Sequence, residues 1–132
     1  MTYKVIIHSK NGKFPVKGLN ELLAGRFYNP RTKRYHNPVK EENDRVCRSA
    51  IKRYLRGVKI DRKIQCTYYI YAKDKRHDVT NLYSVDKSFL DALQQCMCIE
   101  NDGWDEVADS IFHTQLDKEN PRIEVIIEEL ED

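Results

Sequence analysis

The side chains with chemistry to offer lie between residues 78 and 102: Asp78, Asn81, Lys87, Asp91 and Asp102, in the stretches "HDVTN", "DKSFLD" and "ENDGWDE". Lys73, Lys75 and Arg76 crowd the approach to them. A carboxylate beside a basic stretch repels phosphate, unless it holds a cation that the phosphate also binds. Mg²⁺ takes oxygen ligands and keeps several waters, so one or two carboxylates can hold it against a substrate phosphate. Clustered carboxylates raise each other's pKa unless such a cation neutralises them. The chemistry would be metal-activated water attacking a phosphodiester, with a nearby lysine opposite the developing oxyanion.

Each residue also has a plainer reading. Asp78 can cap a helix, Lys87 and Asp91 can form a surface i,i+4 pair, and "NDGWD" can be a turn. Other chemistries find little support. His8, His36, His77 and His113 show no ligand spacing, and only His77 lies near the acidic residues. A Gly-rich phosphate loop and a GxSxG motif are both missing. Cys47, Cys66, Cys96 and Cys98 lack CxxC spacing and read as reduced, mostly buried thiols of a cytoplasmic protein. The N-terminus shows no long apolar segment of the signal type. No stretch approaches the roughly 18 apolar residues of a membrane span.

Charge is segregated. Residues 1–87 carry 21 Lys and Arg against 8 Asp and Glu, and residues 88–132 carry 2 against 13. The basic part suits a polyanion such as nucleic acid. In the alternative reading, the acidic part lies over the basic part.

The 132 residues fit one domain, spanning 1–132. "YKVIIHSK" (3–10) reads as a strand. Residues 11–40 read as mostly irregular, with a helical turn or two in "GLNELLAG". "RFYNPRTKRYHNP" (26–38) mixes Arg26, Arg31, Lys33 and Arg34 with Phe27, Tyr28 and Tyr35, so bases could stack while phosphates are neutralised. Residues 40–57 read as a helix capped by Asn43 or Asp44 and ended by Gly57. Its ridge of Arg45, Arg48, Lys52 and Arg56 lies opposite the apolar face. Residues 63–74 read as a strand. Residues 81–98 read as one helix with a buried stripe of Leu82, Val85, Phe89, Leu93 and Cys96. Two strands, 106–116 and 122–130, follow with the turn "DKENP" between them. The expected class is α+β: a small mixed sheet with two main helices packed on it. A helix of about 17 residues is about 25 Å long. Asp78 and Asp102 therefore meet only if "CIENDGWDE" folds back along it, or if a partner subunit supplies one of them.

Residues 75–107, "KRHDVTNLYSVDKSFLDALQQCMCIENDGWDEV", resemble the signature region of the RusA family of phage- and prophage-borne Holliday junction resolvases. That pattern is an Asp-x-Asp-Asn start, a helix with a lysine and an "FxDAL"-like segment, then an acidic pair. The matching residues here are Asp78, Asn81, Lys87, "FLDAL" and Asp102. The flanks agree in kind: a first strand, a basic loop and helix, a strand entering the motif, and a C-terminal hairpin. The resemblance implies a bacterial-host cytoplasmic homodimer that cuts branched DNA symmetrically with Mg²⁺, Mn²⁺ being an alternative ion. It implies no organic cofactor. Asp78 and Asp102 would be catalytic metal ligands and Lys87 would assist at the phosphate. Asp91 is a further ligand candidate, and Thr80 and Asn81 lie beside the metal. Arg26, Arg31, Lys33, Arg34, Arg45, Arg48, Lys52, Arg56, Lys73, Lys75 and Arg76 would hold the DNA backbone. The chain departs from the pattern at Thr80, where the family has its second Asp, and by a longer "NLYSVDK" segment. Asp91 or Asp105 would replace the missing carboxylate. Two readings stay open beside this one. One is a non-cleaving DNA-binding relative. The other is an unrelated protein-interaction domain whose charged halves pair with each other or with a partner.

Overall fold

The computed structural model describes residues 1–131. A four-stranded sheet is built from β1 (Thr2–Ile7), β4 (Ile64–Ala72), β5 (Val107–Leu116) and β6 (Arg122–Glu129), in the order β1-β6-β4-β5. A small hairpin, β2 (Phe27–Asn29) and β3 (Arg34–His36), stands apart from it. The helices are α1 (Leu19–Gly25), α2 (Pro38–Tyr54), α3 (Val79–Leu82) and α4 (Val85–Gln95). The domain is α+β, as the sequence implies.

Alternation in the strands decides which face of the sheet is buried. Val5 and Ile7 of β1, Ile64, Cys66, Tyr68 and Ile70 of β4, and Ile123, Val125 and Ile127 of β6 all lie on one face and are almost fully enclosed. They share one core with Cys47, Ile51 and Leu55 from α2 and its C-cap, and with Val85, Phe89, Ala92 and Leu93 of α4. The Tyr68 ring stacks on Phe112 at 5.0 Å and meets the edge of Phe89 at 5.8 Å. Burial pushes the Cys66 thiol up to about 12. All four cysteines are free.

The last two strands do not form the expected hairpin. β6 lies between β1 and β4, antiparallel to both, while β5 pairs with the far side of β4 in parallel. Apolar content explains the choice. Ile123, Val125 and Ile127 are wholly buried, whereas β5 is mostly exposed and has no fully buried residue. The more apolar strand takes the centre and the more polar one the edge.

Two helices also differ from expectation. α2 begins at Pro38, with Asn37 as its cap: Asn37 Oδ1 accepts from the Lys40 N–H at 3.2 Å. Proline suits the first helical position because its missing N–H would be unpaired there anyway. Asn43 and Asp44 are buried inside the helix instead of capping it. Asn43 grips the backbone of Lys17 with both ends of its amide, at 2.9 Å each. The expected helix over 81–98 is two pieces. Tyr83 N–H bonds Thr80 O, and Asp86 N–H bonds Tyr83 O. These three-residue steps break the α-helical register between α3 and α4. The irregular 11–40 region contains α1 and the β2–β3 hairpin.

Candidate functional site

The segment from 73 to 106 joins the adjacent parallel strands β4 and β5, and it holds the residues singled out by the sequence. Asp86, in the first turn of α4, fixes the start of that helix over the sheet. Its Oδ1 accepts from Tyr68 Oη at 2.6 Å and from Ser110 Oγ at 2.8 Å. At the other end the helix stops in a Schellman motif. Cys98 N–H bonds Leu93 O, Met97 N–H bonds Gln94 O, and Met97 takes φ +62°. The chain then turns back, pinned where the Ile60 N–H bonds Cys98 O at 2.7 Å. Lys87 lies eight residues before the end of α4, about 12 Å along its axis. Seven residues of loop span that distance easily at about 3.3 Å each. The loop does fold back along α4, and it brings Asp102 to Lys87 and not to Asp78, the residue the sequence argument sought to join to it.

The result is a ladder of alternating charges. Asp102 Oδ2 is 3.0 Å from Lys87 Nζ, and Lys87 Nζ is 3.1 Å from Asp91 Oδ1. Asp91 Oδ2 is 2.8 Å from Lys40 Nζ, which is also 2.8 Å from Asp44 Oδ2. The i,i+4 pair of Lys87 and Asp91 is therefore real, but it is one rung of five residues drawn from α2, α4 and the following loop. Hydrogen bonds to Asp102 and Asp91 raise the Lys87 pKa. Burial works against the charge on Lys40, but hydrogen bonds to Asp44 and Asp91 outweigh it and the pKa rises. Burial likewise opposes ionisation of Asp91. The hydrogen bonds from Lys40 and Lys87 prevail and hold its carboxyl below the usual range.

Asp78 is not part of this ladder. It stands exposed at the N-cap of α3, and its side chain makes neither a capping bond nor an ion pair among the described residues. Thr80 is exposed as well. Asn81 is buried and has a structural task. Its Oδ1 accepts from the Asn20 N–H at 2.8 Å, and its amide lies 3.2 Å from His77 Nδ1. A Cβ at Gly18 would collide with the Asn81 amide, so glycine lets the two segments touch. Asp105 is exposed and pairs with nothing among the described residues.

The chemistry of the donor set fits a small hard cation in one respect. Two carboxylate oxygens already face a single positive centre, the Lys87 ammonium, whose side chain is 64% exposed. One or two carboxylates are what Mg²⁺ takes from a protein when substrate phosphate and water complete its shell. A third carboxylate does not join them: among the described residues, no three His, Cys, Asp or Glu side chains converge.

The basic residues divide into engaged and free. Arg45 is paired with Glu42, and Arg48 donates to Gln95 Oε1 at 2.6 Å. This leaves Lys52 and Arg56 as the open part of the α2 ridge. Lys73 and Lys75 are exposed, and Arg76 lies 3.5 Å from Asp74. Arg26, Arg31, Lys33 and Arg34 have no acidic partner among the described residues. Some charges of the two halves do pair, as Lys4 with Glu124 at 2.8 Å and Lys40 with Asp91.

Sequence reasoning missed Lys40 and Asp44, and it passed over Asp86. The i,i+4 spacing of Lys40 and Asp44 was a visible signal. No helical periodicity could assign Lys40 to Asp91, 51 residues away. No family model matches the chain, and no curated protein matches it. No helix among the described residues is long and apolar enough to cross a membrane.

Proposed function

We propose that the chain is a Mg²⁺-dependent endodeoxyribonuclease of RusA type, acting as a homodimer on four-way or branched DNA. The observation that carries the reading is the Lys87 ammonium seated between Asp91 and Asp102. The motif residues "DKSFLD" and "ENDGW" are separate in sequence and converge there. A bound Mg²⁺ would supply a Lewis acid for the scissile phosphate and lower the pKa of attacking water. Asp102 and Asp91 would hold the ion in the place of the ammonium. Lys87, released from them and still tethered to α4, would turn its charge toward the phosphate oxygens. Lys40 would keep Asp91 ionised from the other side. Asp78, exposed at the N-cap of α3, would complete the site only when DNA or the second subunit draws it in. A two-fold enzyme presents two sites to a two-fold junction.

A non-cleaving DNA-binding protein is the second reading. It is favoured by there being no third converging carboxylate among the described residues, and by Thr80 in place of the family's Asp. A cleavage assay separates the two. Wild type, Asp78→Asn and Asp102→Asn are incubated with a labelled four-way junction and with linear duplex, each with and without Mg²⁺. Paired nicks from wild type alone, with binding kept in both variants, support the nuclease. Junction binding without cleavage in Mg²⁺ or Mn²⁺ leaves only the binding protein.

A further inference from the structure

The β2–β3 hairpin is the part of the fold least explained by packing. Residues 22–40 contain no Asp or Glu, yet they hold Arg26, Arg31, Lys33 and Arg34. Tyr28 and Tyr35 are directly opposite in the ladder, their rings 5.3 Å apart. The Arg26 guanidinium lies 4.2 Å over the Tyr35 ring. Cross-strand aromatic pairs do stabilise hairpins. Such a pair, if it served only that purpose, would cover itself. Here Tyr28 remains 50% exposed and Tyr35 63%.

The hairpin is also held in advance. At its base Asn37 Nδ2 donates to Leu22 O at 2.7 Å, and a Cβ on Gly25 would strike Val39 and Asn37. At its tip the Lys33 N–H bonds Asn29 O, while Asn29 Oδ1 accepts from the Arg31 N–H. Thr32 Oγ1 lies 2.7 Å from His36 Nε2, and His36 stacks on Phe27. A preorganised arm loses little entropy on binding. Flat rings flanked by unpaired cations fit a strand whose bases are free to stack and whose phosphates lie alongside.

We propose that this hairpin is a base-stacking arm that binds the base faces left unstacked at the branch point of branched DNA on Tyr28 and Tyr35, with Arg31 and Lys33 on the adjoining phosphates. The proposal rests on the DNA-binding part of the functional reading, and not on cleavage. It makes selection of branched over linear DNA a property of the arm, remote in sequence from Asp91 and Asp102.

The test measures binding in EDTA, by anisotropy of a labelled four-way junction, a single strand and a linear duplex of equal length. Three variants are compared with wild type: Tyr28→Leu/Tyr35→Leu, Tyr28→Phe/Tyr35→Phe and Arg31→Gln/Lys33→Gln. Stacking is worth about 1–3 kcal/mol per base. The Leu pair is therefore expected to lose roughly tenfold or more for junction and single strand, with duplex affinity unchanged. The Phe pair, which keeps both rings, restores wild-type binding and shows that the hairpin fold is intact. The Gln pair weakens all three DNAs and lowers the salt slope by roughly 1.5–2. Wild-type affinity of the Leu pair for junction and single strand overturns the proposal. So does tyrosine-dependent binding to vesicles of anionic lipid without DNA binding. Tyrosine-dependent junction binding without Mg²⁺ cleavage keeps the arm and removes the nuclease. Cleavage with no tyrosine dependence does the reverse.

Discussion

Lys40 Nζ lies 2.8 Å from Asp91 Oδ2, and this contact bolts α2 to α4 across 51 residues of sequence. Both side chains are more enclosed than an ordinary surface pair: 33% exposed for Lys40 and 19% for Asp91. Removing one partner leaves the other with a single opposite charge, Lys87 for Asp91 or Asp44 for Lys40, in a half-enclosed place.

Asp91→Asn is expected to lose about 1–3 kcal/mol of stability, the usual range for a partly buried group that loses a charged partner. Lys40→Met should fall in the same range. Because the two share one interaction, the double variant Lys40→Met/Asp91→Asn should lose less than the sum of the single changes. Urea midpoints at constant slope measure this. Simple additivity would mean that the bolt contributes nothing.

The same ladder fixes a pH response. Asp91 is held below its ordinary value of 3.8, so its contribution is full above that pH and fades as pH falls through the lower folded value. Lys40 and Lys87 are held above 10.5, so their contribution is full below that pH and fades as pH rises through the raised values. The ladder's own contribution should be level between these limits, while the Cys66 thiol, ionising only in the unfolded chain above about pH 9, lowers total stability before the lysines do. In Asp91→Asn the acid limb should be shallower than in wild type. Thermal melts from acid to alkaline pH show whether it is.

Lys87→Gln should leave DNA binding nearly intact and reduce Mg²⁺-dependent cleavage by roughly 100-fold or more, as loss of one oxyanion donor does. Trp104, the single tryptophan, is 94% exposed and two residues from Asp102, so its emission follows binding independently of cleavage. Equal loss of binding and cleavage would demote Lys87 to a structural ion pair.

Met97 occupies φ +62° at the turn after α4, where glycine has no steric cost, and its side chain is exposed. Left-handed backbone costs an ordinary residue about 1–2 kcal/mol, partly offset by the greater freedom of glycine in the unfolded chain. Met97→Gly should therefore raise stability by up to about 1 kcal/mol. A lower melting temperature would show that the Met97 side chain contributes packing.

Much of this architecture can be read from local pattern. Alternation in β1, β4 and β6 and the stripe Leu82, Val85, Phe89 and Leu93 correspond to buried faces in the structure, while Cys96, the last of that stripe, is half-buried at the C-cap of α4. The Asn-Pro pair at 37–38 carried the true start of α2, a signal outweighed in the sequence reading by Asn43 and Asp44. The strand order was hidden, because pairing of β4 with both β5 and β6 depends on which strand is more apolar, and loop length does not report that. Lys87, Asp91 and Asp102 converge through a Schellman turn centred on a methionine, which gives no glycine cue. Asp78 has no partner to fix it among the described residues, so spacing alone could not place it with the others.

β6 is the last of the strands along the chain, yet it sits inside the sheet. Its register joins Thr2 to Glu128, 126 residues apart, and Ile64 to Glu129. Until it arrives, β1 has no neighbour in the sheet and the β4–β5 pair has one bare side. On the ribosome, the sheet must therefore wait for β6 to emerge. Nascent chains would present an open cleft between β1 and β4, the width of one strand and edged by their unpaired backbone N–H and C=O groups. That cleft is where a holding chaperone, or β6 of a second copy, would compete before the strand closes it.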